Sequence, residues 1–248
     1  MTGFAVLLTD PGAAPAAAAA FLAARPGSGA PQAAAFLRAN PGCLGRALTR
    51  AAAEELLAEA AAAGLRCSLF SEDDLKAPPP PAIAQRAELL DGGLRAASSG
   101  ALLFIRYEDV LALAAAAWDA PAPAPSVAAL APGILAKVVS IFTGGPPQPE
   151  RGPRETFFRA DLLAADGTRL LFEPESLDFS PLGQARTHSS LENFRLLLDA
   201  LRLRIPGAAV NACLPALLAR SPLAPLKVAG PEAADADLTR LLLLARRS

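Results

Sequence analysis

Four consecutive prolines, at positions 78–81, separate two parts of the chain that differ in composition. Proline fixes φ and has no amide N–H, so a run of four cannot continue a helix and favours a stiff, extended linker. Alanine-rich, helix-favouring segments precede the run, and shorter apolar segments between glycine turns follow it. The run therefore predicts a first domain, a linker, a second domain and a tail, at residues 1–76, 77–82, 83–212 and 213–248.

The first part has the pattern of a small α/β sandwich. Pro15 and Pro31 suit the first turn of a helix. Thr49 suits an N-cap, and Gly64 suits the position just after a helix end. Helices that cross between strands imply a small sheet with helices on one face. The predicted order is β-α-α-β-α-β, at residues 4–8, 15–24, 31–39, 43–48, 51–63 and 65–70.

Five segments of this part carry a resemblance to a known family: the strand at residues 4–8, the middle helix at 31–37, the loop at 40–42, and the stretches 48–56 and 63–69. Together they resemble the C-terminal domain of the large-subunit ribosomal stalk protein. The middle helix of that family is lysine-rich where it docks translation factors, whereas this helix carries only Arg38. The resemblance therefore implies the fold and a general protein-binding use rather than recruitment of ribosomal factors.

The second part has the pattern of short antiparallel strands. Asp-Gly suits the positive φ of a tight turn, so Asp91-Gly92 and Asp166-Gly167 each predict a β-hairpin. Residues 110–117 are too rich in alanine to be assigned to a strand. The predicted strands are residues 83–90, 94–97, 101–106, 135–142, 157–163 and 169–172, with loops at 120–132 and 144–153.

An amphipathic helix follows these strands. Ser189 with Glu192 three residues later is a capping box, in which each side chain bonds the other residue's main-chain N–H. Several strands closed by one such helix, with the corner at residues 107–110, resemble a bacterial pleckstrin-homology-like (PH-like) domain. The resemblance implies an antiparallel β-barrel capped by a C-terminal helix. The predicted fold class is thus α+β, a small α/β sandwich followed by a PH-like barrel, and a last helix is predicted at residues 235–247.

Charge and cysteine content exclude several classes of protein. The 23 Lys and Arg balance 24 Asp and Glu, which removes the basic footprint expected of a nucleic-acid binder. No stretch approaches the ~20 apolar residues of a membrane span, so no stable membrane insertion is expected. Three separated cysteines with one histidine predict neither a zinc site nor a disulfide framework, which favours the cytoplasm. No cofactor is predicted, because the phosphate-binding motifs are absent.

The candidate site residues surround the only histidine, His188. Asp178, Arg186 and Arg195 lie near it in sequence, and these four residues are the predicted binding site. A hydrolase-type site would join Asp178, His188 and Ser189, but such a triad is recognised by geometry and no G-x-S-x-G motif is present. The alternative interpretation places His188 on the surface just before the helix. No residue is assigned a catalytic, cofactor-binding or metal-binding role.

Two groups of arginines suggest other sites. Four of them flank the second hairpin and would bind an anion if they converge, although acidic neighbours favour an ordinary mixed surface. Three at the chain end would suit an anionic membrane surface. The first group is Arg151, Arg154, Arg159 and Arg169, and the second is Arg240, Arg246 and Arg247.

The leading hypothesis is a non-catalytic protein-interaction or scaffold protein, with an unidentified protein partner and an undefined oligomeric state. It rests on the missing catalytic motifs and on the two resemblances. The alternatives are a hydrolase-type enzyme with its site near His188, and a membrane-surface adaptor acting through the PH-like domain.

Overall fold

The structure, a computed structural model, describes residues 3–10, 15–121 and 154–246. Their helices are α1 (Pro15–Ala23), α2 (Ala30–Ala39), α3 (Arg50–Ala62), α4 (Ser190–Arg204), α5 (Cys213–Leu218) and α6 (Pro231–Ala245). Their strands are β1 (Phe4–Leu8), β2 (Cys43–Leu48), β3 (Cys67–Ser71), β4 (Ala82–Ile83), β5 (Arg86–Leu89), β6 (Gly93–Ser98), β7 (Ala101–Arg106), β8 (Val110–Pro121), β9 (Arg154–Ala164), β10 (Arg169–Phe172) and β11 (Ala209–Val210). The α+β class is confirmed. The strand predicted at 135–142, the loop at 144–153 and most of the loop at 120–132 lie outside the described residues.

The chain divides into two compact units. The smaller unit, Asp119–Phe157, is described only at its two ends, where the Thr156 hydroxyl donates to Asp119 Oδ1 at 2.7 Å. The larger unit combines Met1–Trp118 with Phe158–Ser248.

Sheet A is built from the first part of the chain alone, in the order β2-β1-β3. Strand β1 pairs antiparallel with both neighbours, and α1, α2 and α3 cover one face of the sheet. Thr49 caps α3 by accepting a hydrogen bond from the Ala52 N–H, and Gly64 ends the helix with φ +79°. The predicted element order and both helix-end residues are confirmed here.

The later strands form two further sheets. Sheet B has the order β11-β8-β9-β10-β4, and sheet C has the order β5-β6-β7. The two share a core with the apolar face of α4, including Leu94, Leu162 and Phe194. Both predicted hairpins are present, but Gly92 does not have positive φ, unlike Gly167 at +88°. No closed barrel is found among the described strands, so the PH-like barrel stays a prediction.

The alanine-rich segment that the sequence left unassigned is the long strand β8. Alanine favours helix by intrinsic propensity, but tertiary packing overrides that preference here. Ala112 and Ala114 pack on α6, while Leu113 and Ala115 belong to the core shared with sheet C. Small side chains on both faces let this strand lie between two closely packed layers.

Helix α6 lies between sheets A and B. Leu238, Leu241 and Leu242 pack on sheet B. Leu243 and Leu244 pack with the residues of sheet A that face away from α1–α3. A helix that is buried around most of its circumference belongs to the interior of a fold. The predicted helix at the chain end is therefore a central layer of this unit.

The proline linker is held by hydrogen bonds just before its run and within it. The Thr239 hydroxyl of α6 donates to the Lys76 carbonyl, and Arg169 Nη1 donates to the Pro79 carbonyl at 3.1 Å. Directly after the prolines, β4 pairs parallel with β10. The linker is thus fixed along α6 and sheet B, while the division into separate domains at this point stays a prediction.

Candidate functional site

Three of the four predicted site residues line one cavity. Asp178, Arg186 and His188 lie on the wall of an open cavity of about 440 Å³, between the connection from β10 and the start of α4. Asn193 is buried and fixes this wall, because its amide accepts from the Thr187 N–H at 2.6 Å and donates to the Thr187 carbonyl at 2.9 Å. These two hydrogen bonds fix Thr187 and so position its neighbours Arg186 and His188.

Asp178 is already engaged as an acceptor. Its carboxylate accepts from the Ser180 N–H at 2.8 Å and from the Ser180 hydroxyl at 2.7 Å. The hydroxyl bond is the main reason that the pKa of Asp178 is lowered, and the charge of Arg86 contributes less. A carboxylate that is ionised and occupied in this way is a poor general base.

The hydrolase-type arrangement is not assembled. His188 is exposed, and no hydrogen bond within the described part of the chain joins it to Asp178 or Ser189. The Ser189 hydroxyl accepts from the Glu192 N–H instead, as an N-cap. Nucleophilic catalysis needs a base within reach of the nucleophile. The interpretation of His188 as a surface residue before the helix fits this geometry.

The predicted capping box is only half formed. Ser189 caps the helix, but the Glu192 carboxylate pairs with Arg195 and Arg220. The Ser189 N–H donates to the Thr187 hydroxyl at 3.2 Å. Arg195 also donates from Nε to the Leu217 carbonyl at 3.1 Å, so it joins α4 to α5 and does not line the cavity.

A second cavity, of about 240 Å³, opens between the two parts of the chain within the larger unit. Its walls are small apolar side chains of α1 and α2 on one side and the segment from α5 to Val228 on the other. Polar groups of Asn211, Asp237 and Arg240 meet at its floor. Apolar walls with a few convergent polar groups are typical of ligand sites.

The floor of this cavity is a buried polar network. Arg240 donates from Nε and Nη2 to Asp237 Oδ1, at 3.0 and 2.8 Å, and from Nη1 to the Leu8 carbonyl at 3.2 Å. Asn211 donates to Asp237 Oδ2 at 2.8 Å and to the Ala115 carbonyl at 2.7 Å. The network joins α6 to sheet A and to β8. Asn211 and Asp237 were not among the residues predicted from sequence to form a site, although charges at i and i+3 inside an apolar helix, as at Asp237 and Arg240, are a usable signal.

Gly42 makes room for Arg240. A Cβ atom on Gly42 would lie 2.6 Å from Arg240 Cδ, and the residue has φ +69°. Only glycine adopts this conformation without strain and lets the guanidinium pass so close. The loop before β2 and helix α6 therefore depend on each other.

Two arginines of the second hairpin, Arg159 and Arg169, form a buried ion cluster, which corrects the anion-site hypothesis for these two residues. Asp161 lies between them, with Oδ2 3.0 Å from Arg159 Nε and Oδ1 2.8 Å from Arg169 Nε. Asp235 of α6 accepts from both arginines. Arg159 and Arg169 are thus neutralised inside the protein, and Arg151 and the side chain of Arg154 lie outside the described part of the chain.

One residue of the basic chain end is not available to a membrane surface, because Arg240 is only 5% exposed and paired with Asp237. Arg246 is exposed and Arg247 lies outside the described residues, so membrane-surface association through the chain end stays a prediction. Within the part of the chain that the structure describes, no helix has the length and apolar character to cross a bilayer.

The cysteines carry free thiols. Burial raises the pKa of Cys43 and Cys213 to about 12 and that of half-buried Cys67 to about 11. The thiol, not the thiolate nucleophile, is therefore present at neutral pH. No group of three metal-ligating side chains is found within residues 3–10, 15–121 and 154–246.

We expect these thiols to make the protein less stable in alkali. Above the ordinary thiol pKa of 9.0 the unfolded chain loses protons that the folded chain keeps, so the free energy of unfolding falls as pH rises. The loss is about 1 kcal/mol per pH unit for each of Cys43 and Cys213. Urea unfolding between pH 8 and pH 10.5 should show a steeper decline for the wild type than for the Cys43→Ala/Cys213→Ala variant. Equal slopes would contradict the expectation.

Sheet C exposes two large apolar side chains. Leu102 is 74% exposed and Phe104 58% exposed, on the same face of strand β7. Arg95 and Ala97 of β6 lie opposite them. In the described chain, β7 pairs with β6 on one side and with no strand on the other.

The described residues form a layered α+β fold that carries a cavity beside His188, a cavity between α1, α2 and the segment from α5 to Val228, and the exposed edge strand β7. Comparison of the chain with family models, with curated proteins and with solved structures finds no match.

Proposed function

We propose that this is a non-catalytic binding protein that docks an extended segment of a partner protein along strand β7. The observation that carries the proposal is the exposure of Leu102 and Phe104 on an edge strand. Edge strands present unpaired main-chain groups, and proteins usually protect them with charge, proline or a covering element. Here the edge strand instead carries two large, exposed apolar side chains, Leu102 and Phe104.

The main chain of β7 is oriented for strand addition. The hairpin from β6 turns through Ser99 and Gly100, both with positive φ, and closes on the pair Ser98–Ala101. In an antiparallel ladder, alternate pairs exchange hydrogen bonds, so the pairs next to the bonded ones turn their N–H and C=O groups outward. The main-chain N–H and C=O groups of Leu102 and Phe104 therefore point away from β6. An added strand would gain main-chain hydrogen bonds at the same residues that offer apolar contact.

The size and charge of this edge define the occupant. A strand of six residues spans roughly 20 Å, too little to bury the ~800 Å² per partner of a stable interface between two folded chains. The nearby charges are already paired, Arg95 with Glu88 and Arg106 with Asp109. We therefore infer a short extended segment with uncharged, apolar side chains at every second position.

The two resemblances agree with a binding role, since both families are used as binding platforms, but a fold alone does not fix function. In this proposal the PH-like part supplies the docking edge. A cytoplasmic location remains part of the proposal.

The test is peptide binding measured by fluorescence anisotropy. The probe is a labelled decapeptide of alternating valine and threonine. The Leu102→Thr/Phe104→Thr variant should bind it at least tenfold more weakly than wild type. The control Leu203→Gln changes a side chain that is equally exposed, at 75%, on α4 and should stay within twofold.

A second probe separates strand addition from simple apolar contact. The same decapeptide with every amide N-methylated has no N–H left on either edge of its strand, so it cannot donate to the ladder and should not bind. Equal binding of both peptides, or of both variants, would overturn the proposal. Dimerisation in sedimentation equilibrium that the double variant abolishes would instead make a second copy of the chain the occupant, against the proposal.

A further inference from the structure

We propose that the 240 Å³ cavity between α1, α2 and the segment from α5 to α6 binds a small organic carboxylate with an apolar body. The site is separate from the β7 edge and does not rest on the proposed function. Its volume lies just below the ~300 Å³ at which sites for drug-sized ligands begin, so the ligand is small.

The walls select an apolar body. Ala18 and Ala19 of α1, Ala34 and Leu37 of α2, and Val228 line the cavity. Alanine side chains leave the space that larger residues would fill. The Ala229 N–H donates to the Arg38 carbonyl at 2.8 Å and holds the two walls together at this distance.

The charged lining selects an anion. Three cations line the cavity, Arg38, Lys227 and Arg240, against two carboxylates, Asp10 and Asp237. Both carboxylates have cationic partners: Arg66 binds Asp10 at 2.9 Å, and Arg240 binds Asp237.

Arginine donors remain for the ligand. Arg38 is exposed at its helix end, and no ion pair of its guanidinium occurs among the described residues. Arg240 uses three of its five N–H groups in its hydrogen bonds to Asp237 and Leu8. A carboxylate is the acceptor that matches such donors.

The experiment is isothermal titration calorimetry of the full chain with phenylacetate. Two matched probes share its apolar body, 2-phenylethanol and 2-phenylethylamine. We expect phenylacetate to bind at least tenfold more tightly than either. Raising sodium chloride from 50 to 500 mM should weaken phenylacetate binding several-fold, because salt screens the attraction between its carboxylate and the arginine side chains.

Two variants place the binding in this cavity. Ala34→Leu fills it and should weaken phenylacetate binding at least tenfold, while the control Ala35→Leu, on the exposed side of the same helix, should leave it unchanged. Arg38→Gln should weaken binding three- to tenfold, and far-UV circular dichroism should show that all three variants fold. No binding at 5 mM phenylacetate, preference for the amine, or equal binding to Ala34→Leu and Ala35→Leu would each overturn the proposal.

Discussion

Replacing Asp161 with alanine should lower the free energy of unfolding by about 3–5 kcal/mol, the cost typical of removing one partner from a buried ion pair. Asp161 is 2% exposed, and it lies between Arg159 and Arg169, which are 5% and 3% exposed. Without it, two buried guanidinium groups share only Asp235, whose side chain is 39% exposed. Urea unfolding followed by circular dichroism measures the loss.

The matched control is Glu54→Ala. Glu54 pairs with Arg50 one turn away on α3, and both side chains are more than half exposed. Exposed pairs of this kind contribute about 0.3–0.5 kcal/mol, so this variant should unfold almost as the wild type does. A loss for Asp161→Ala no larger than that of the control would show that the cluster does not stabilise the fold.

Gly42→Ala should be the second strongly destabilised variant, by about 3 kcal/mol or more. An alanine with φ near +69° costs about 1–2 kcal/mol by itself. The added methyl group also pushes Arg240 away from Asp237, which leaves a buried carboxylate with a weaker partner. Urea unfolding again measures the free energy of unfolding. The structural change should extend to both α6 and sheet A.

Gly64→Ala separates these two causes. Gly64 has φ +79°, but a Cβ atom there would have no atom within 4 Å. Gly64→Ala should therefore lower the free energy of unfolding only by the backbone strain, about 1–2 kcal/mol. If Gly42→Ala and Gly64→Ala lower the free energy of unfolding by the same amount, the close approach of Arg240 contributes nothing to the loss.

The sequence predicted those helix ends and hairpins that depend on residues only a few positions apart. Thr49 and Gly64 delimit α3 because capping groups act on the adjacent turn. Asp166-Gly167 gives the second hairpin because its φ requirement is local. At Asp91-Gly92 the hairpin is present but the positive φ is not, since the turn there is built differently.

The candidate site was predicted in part for the same reason. Asp178, Arg186 and His188 share a cavity wall because one short connection carries them all. Arg195 lies one and a half turns into α4, where helix geometry directs it toward α5 instead. The floor of the other cavity joins Leu8, Asn211 and Arg240, which are too far apart in sequence for any local pattern to bring together.

Sequence alone determined the succession of strands and helices in the first part of the chain and the two hairpins of the second, because main-chain conformation there follows from turn residues, caps and alternation of apolar side chains. It did not determine β8, β11 or α5. Tertiary structure decided which charges are interior, as Arg159, Arg169 and Arg240 show. It also decided that α6 is a middle layer and that Leu102 and Phe104 face outward. The physical reason is that burial depends on elements that lie far apart in sequence, such as Asp235 of α6 for Arg159 and Leu8 of β1 for Arg240, and no neighbouring residue encodes their arrival.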